Sequence, residues 1–185
     1  MKLKFSASTG TPWSRVRHAI SIITLRPQPQ SQIQSQTPSD CLFCKQNQPD
    51  LNQIMSENKT FYARYDNFPA TEGHVEIVPK RHVESFFDLT TKEVKDAYGL
   101  ILSVKKTLSD KHDPDGYTIG INEGRAAGRT IDHLHIHLIP RRFGDVQDPR
   151  GGIRRAVPNC DPDQWQVPNV PPERAAEKMA ARHHA

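Results

Sequence analysis

The chain has 185 residues, enough for one ordinary domain with a buried core and additional segments. Lys and Arg total 25 against 21 Asp and Glu, a formal charge of +4, which suits a polyanionic ligand and argues against a broad DNA-binding surface. No apolar run is long enough to cross a bilayer, and three cysteines are too few for a disulfide scaffold, so a soluble, cytoplasmic chain without a membrane partner is expected.

No Asp or Glu occurs before Asp40, and "RPQPQSQIQSQTPS" is rich in Pro, Gln and Ser, so residues 1–39 read as a flexible extension. An acid-free start containing Arg and Ser also suits an organelle-targeting segment, although the composition fits a disordered tail better. Cys41 and Cys44 then form a CxxC pair, a spacing used for metal or redox chemistry in a reducing compartment. "TFYARY" alternates Phe61, Ala63 and Tyr65, and "GHVEIVP" is β-branched with a proline at its exit; both read as strands joined by the turn "DNFPATEG".

A helix follows. Thr90 and Glu93 have capping-box spacing, and Val94, Ala97, Tyr98, Ile101, Val104 and Leu108 recur at helical intervals until "DPDG" stops the pattern. "YTIGIN" is the next strand, "EGRAAGRT" a glycine-punctuated loop, and "HLHIHLIP" the last clear strand. Strands around one long helix predict an α+β fold with a largely antiparallel sheet, over residues 40–158. Residues 159–185 form a C-terminal tail in which "ERAAEKMAARHHA" predicts a short helix; Cys160 receives no role.

The histidines carry the chemistry. In an extended strand side chains alternate, so His133, His135 and His137 share one face while Leu134, Ile136 and Leu138 share the core-facing one. At about 3.3 Å per residue the outer two lie roughly 13 Å apart at their backbones, too far for all three to hold one ion. A division of labour is expected, with one end ligating and the rest acting on substrate. A lone histidine on a strand is usually structural, but three at alternate positions after a glycine loop are hard to obtain from packing alone.

"HLHIHLI" resembles the H-x-H-x-H-x-x signature of the histidine triad superfamily of nucleotide hydrolases and transferases. "RYDNFPATEGHVEIVPKRHV" and "INEGRAAGRTIDHLHIHLIPRR" are similar to the flanking strands of that fold, so the resemblance runs from Cys41 to Arg142. It implies attack on a nucleotide α-phosphorus by His135, through a covalent nucleotidyl-imidazole, with His137 donating to phosphoryl oxygens or assisting the leaving group. It places Asp66 at the ribose hydroxyls, and Asn122, Gly128, Arg129 and Thr130 around the phosphates. Asp66 and Asn122, taken alone, also suit turns.

The same resemblance implies a structural zinc held by Cys41, Cys44, His82 and His133, no organic cofactor, and a homodimer. Cleavage of dinucleoside polyphosphates or related adenylyl compounds is the leading expectation. Phosphoramidase, phosphorylase or nucleotidyl-transfer activity shares the first step, and a non-catalytic nucleotide- or nucleic-acid-binding module is the other class. Two positions depart from the family pattern: Arg129 replaces a usual glutamine, and Asp132 stands where proline or an aromatic is common. Arg129 is expected to grip an additional phosphate or to point outward. Arg141, Arg142, Arg150, Arg154 and Arg155 hold distal phosphates or form a solvated basic loop.

Overall fold

The computed structural model describes residues 38–157 and Ala181. Apart from residues 38, 39 and 181, the expected N-terminal extension and the C-terminal tail with its helix and Cys160 lie outside the described residues. Five strands, β1 (Ile54–Glu57), β2 (Phe61–Tyr65), β3 (Val75–Pro79), β4 (Gly116–Gly120) and β5 (Ile136–Arg141), form one sheet in the order β1-β2-β3-β5-β4. Every neighbouring pair is antiparallel. With α1 (Thr91–His112), the one long helix among the described residues, the architecture is α+β, as the alternation of patterns in the sequence predicts.

Period-two alternation divides the sheet into two different faces. Phe61, Ala63, Val75, Ile77, Ile136 and Leu138 turn toward α1, which answers with Ala97, Leu100, Val104 and Leu108, and together these side chains are the main core. Each fully buried aliphatic side chain contributes about 1.5–3 kcal/mol. Tyr62, Arg64, Glu76, Val78 and His137 occupy the opposite parity, and this second face carries the candidate site. Among the described residues, no helix is long and apolar enough to cross a membrane.

The helix starts where the sequence says it should. The Thr90 hydroxyl accepts from the Glu93 amide and the Glu93 carboxylate accepts from the Thr90 amide, closing a capping box. The chain leaves α1 through Asp113, in the left-handed region at φ 42°. The buried stripe is rotated from the expected one: Leu100 packs inward, whereas Val94 and Tyr98 are exposed. Strand β1 is an addition, too short at four residues to show a period.

Two further details differ from expectation. Regular strand geometry begins at Ile136, so His133 and His135 precede β5 rather than lie on it. The Leu134 amide donates to the Val83 carbonyl at 2.7 Å, diverting this stretch away from the sheet ladder and toward the segment after β3. His133 is consequently buried completely, and does not share an open face with His135 and His137 as the alternation predicts.

Candidate functional site

Residues 41–52 fold over the second sheet face. Cys41 and Phe43 pack with Tyr62 and Val78, the Tyr62 hydroxyl donates to the Phe43 carbonyl at 2.7 Å, and the Asn52 amide donates to the carbonyls of Leu42 and Lys45, both at 3.1 Å. This brings Cys41, Cys44, His82 and His133 together, with their donor atoms within 4.8 Å of one another. His133 Nδ1 lies 3.3 Å from Cys41 Sγ and 3.6 Å from Cys44 Sγ, and His82 Nδ1 lies 3.3 Å from Cys44 Sγ. Bonds of about 2.3 Å to sulfur and 2.1 Å to nitrogen give tetrahedral edges close to these separations, so the donor set fits zinc. His133 Nε2 donates to the Pro79 carbonyl at 2.9 Å, which turns the Nδ1 lone pair toward the thiols. Burial and the neighbouring Cys41 push the Cys44 thiol up to about 11.

The next two histidines form a second unit. His135 Nδ1 lies 2.8 Å from the His133 carbonyl, so it carries the proton and leaves the Nε2 lone pair free. The Phe43 ring, 5.1 Å from that of His135 between centroids, braces its flank. His137 stands 5.1 Å from His135, nearly perpendicular to it. Burial lowers His135, and burial with the neighbouring His135 and His74 takes His137 down to about 4, so both rings are neutral near pH 7.

His74, which sequence reasoning passed over, settles the tautomer of His137. A backbone N–H can only donate, and that of Ala70 reaches His74 Nδ1 at 3.2 Å. Neutral His74 therefore carries its proton on Nε2, which lies 3.0 Å from His137 Nδ1. His137 Nδ1 accepts, and its Nε2–H is left as a donor; the assignment follows from the bonding pattern. The Asp66 carboxylate lies 3.4 Å from His74 and 3.9 Å from His137.

A cleft of about 350 Å³ joins these groups. Asp66, Asn122, Gly128, Thr130, His135 and His137 all line it, so most of the residues expected at substrate converge. Gly128 has φ 94°, a conformation that favours glycine, and ends a short turn of helix over Arg125–Ala127. Arg129 does not line the cleft. Its guanidinium donates to the Glu84 carbonyl at 2.9 Å, pairs with the Glu84 carboxylate at 3.2 Å, and lies 3.4 Å from Asp132. Asp132, the other departure from the family pattern, also pairs with Arg125. Arg141 is likewise engaged, with Asp145 and the Thr118 hydroxyl.

The cleft floor holds an ion pair that the sequence reading also missed. Arg64 and Glu76 are register partners across β2 and β3, both are buried, and the guanidinium donates to the carboxylate. Glu76 in turn faces His137 across β3 and β5. Burial, with Asp66 adding to it, holds the Glu76 carboxyl above the usual carboxylate range despite Arg64. The signal was available: Arg64, His74 and Glu76 are polar residues on the parity opposite the aliphatic one, the same reasoning that singled out the triad.

An antiparallel sheet backed by one long helix, with three alternate histidines of which the second and third line a cleft, defines a histidine-triad protein, and the chain belongs to the HIT family: residues 46–144 match the HIT domain model. It is 35% identical over 127 residues to an uncharacterized HIT-like protein of Methanocaldococcus jannaschii, covering 67% of this chain and 94% of that one. It is 32% identical over 97 residues to a bis(5'-adenosyl)-triphosphatase of Dictyostelium discoideum, covering 52% of this chain and 65% of the enzyme. It spans 26% of the nitrilase and fragile histidine triad fusion protein of Caenorhabditis elegans, at 34% identity over 62% of this chain. Among solved structures, a Zn-bound histidine triad family protein from Mycobacterium smegmatis superposes with a TM-score of 0.54 at 28% identity, covering 65% of this chain and 89% of that one.

Proposed function

We propose that this protein is a nucleotide hydrolase that cleaves at the α-phosphate of dinucleoside polyphosphates or related adenylyl compounds, with His135 as nucleophile. The observation that carries the reading is the anchoring of His135: Nδ1–H held by the His133 carbonyl, and a neutral ring on the cleft wall. The Nε2 lone pair forms a P–N bond as the P–O bond to the departing nucleotide breaks. Water then attacks phosphorus, the P–N bond breaks, His135 regains its lone pair, and the water's proton passes to solvent.

The remaining residues bind and orient. The Nε2–H of His137 donates to a phosphoryl oxygen, while Asn122, Thr130 and the amides around Gly128 receive the other oxygens. Asp66 accepts from the ribose hydroxyls. Arg129, held by Glu84 and Asp132 outside the cleft, makes no substrate contact in this reading; burial is the main cause that keeps His135 neutral, with the Arg129 charge a smaller one. Cys41, Cys44, His82 and His133 would hold a structural zinc, which supplies a fixed point for the segment that carries His135. A homodimer completes the reading: β4 is an edge strand, Ile119 on it is exposed, and Val94, Tyr98 and Leu102 stand exposed at four-residue intervals on α1. Residues 40–158 form the histidine triad domain in this reading.

The test is adduct trapping. Protein incubated with diadenosine triphosphate and quenched in base should carry an adenylyl group on the peptide containing His135, and His135→Ala should carry none. An adduct elsewhere, or turnover by the alanine variant at the wild-type rate, overturns the proposal.

A further inference from the structure

Phe68 is 91% exposed, yet it lines the same cleft as His135 and His137. A surface phenylalanine on a loose loop would carry no meaning. This one is held. Its amide donates to the Asp66 carboxylate at 2.7 Å, forming an Asx turn, and Pro69 fixes the backbone angle that follows. The preceding residue is held through its side chain: Asn67 Oδ1 accepts from Arg64 at 2.6 Å, and Asn67 Nδ2 donates to the Leu51 carbonyl at 3.3 Å. Arg64 is 1% exposed and fixed by Glu76, so the turn is anchored in the buried floor of the cleft.

Resting on the nucleotide reading above, we propose that Phe68 is the stacking face for the nucleobase. The Asp66 contact fixes the backbone amide of Phe68 and the Asn67 side chain ties the turn to Arg64 and Leu51, so part of the ordering that binding requires is already present in the free protein. The residue assigned to the ribose, Asp66, is also the one that bonds the Phe68 amide, so a single turn sets both the sugar contact and the base contact. A benzyl ring meets the π-face that every base offers, and its recognition is therefore tolerant of base identity. Phe68 contributes affinity for the nucleoside end without choosing among bases.

Calorimetric titration of the full chain with adenosine 5'-monophosphate and with ribose 5-phosphate tests this. Phe68→Ala should weaken the nucleotide at least about fivefold and leave the sugar phosphate unchanged, while Phe68→Tyr restores nucleotide binding. Being exposed, the position tolerates both substitutions without loss of fold. Equal weakening of both ligands would mean that Phe68 only shapes the turn, and no weakening of either would mean that the ring does not touch the base; each result overturns the proposal. Wild-type protein that binds neither ligand overturns the nucleotide reading itself, whereas tight nucleotide binding indifferent to Phe68→Ala sinks the stacking role alone.

Discussion

The carbonyl oxygen of His133 lies 2.8 Å from Nδ1 of His135, while the ring of His133 lies 3.3 Å from Cys41. One residue thus faces the candidate metal cluster with its side chain and orients the candidate nucleophile with its backbone. Placement of the His135 ring thereby depends on the residues of the cluster.

Removing a ligand should therefore damage activity indirectly. The parent should contain one equivalent of zinc by elemental analysis, and Cys44→Ser should lose it and lower Tm by at least about 6 °C, the equivalent of roughly 2–3 kcal/mol. Turnover should fall with it although the cleft residues are intact. A parent protein with no zinc, purified without chelator, refutes the assignment.

In the proposed mechanism His74 would act through His137. His74→Ala removes the Nε2–H that holds His137 Nδ1 as an acceptor, so His137 samples the tautomer that presents no donor to phosphate. The expected result is a fall in kcat of about ten- to a hundredfold, with zinc content and KM little changed. Steady-state kinetics beside metal analysis reads both, and an unchanged kcat would remove His74 from the mechanism.

The acid limit of stability should have a contribution from the start of α1. The Arg81 guanidinium, with the Thr90 amide, holds the Glu93 carboxyl down to about 2 from an ordinary 4.5. A depressed carboxylate stabilises the fold above the unfolded value near 4.5 and loses that contribution as pH falls through about 2. Glu93→Gln should be less stable than the parent at pH 7, with the gap closing between pH 4.5 and 2. Urea unfolding across that window measures it, and a gap that is constant with pH would be evidence against the linkage.

The exposed apolar positions on β4 and α1 make a separate prediction. Ile119→Lys and Tyr98→Asp, alone and together, should shift the protein from dimer to monomer in sedimentation equilibrium without lowering helix content. A monomeric parent would rule out the assembly.

Much of this arrangement is legible in the residues because it rests on parity and capping. The alternation in "TFYARY" and "GHVEIVP" predicts β2 and β3, and Thr90 with Glu93 predicts where α1 begins. The convergence of Cys41, Cys44, His82 and His133 followed from the family resemblance; spacing alone left metal and redox chemistry equally open. What escaped depends on tertiary contacts. The bend at His133 is fixed by a hydrogen bond to Val83, and the turn of α1 that exposes Tyr98 is chosen by the sheet beneath it. For Arg129 the local partner, Asp132, left its direction open, and Glu84, which also captures it, is 45 residues away.

The contact between Cys41 and His133 joins positions 92 residues apart. Closing so long a loop has an entropic cost, so this clasp is expected to form after the intervening strands and α1 have brought its two ends together. A chain emerging from the ribosome has its first two ligands early but must wait for the region after α1 and β4 before the other half arrives. A nascent chain that stops short of residue 133 would therefore hold the two cysteines and the turn at Asp66, but none of the three alternate histidines.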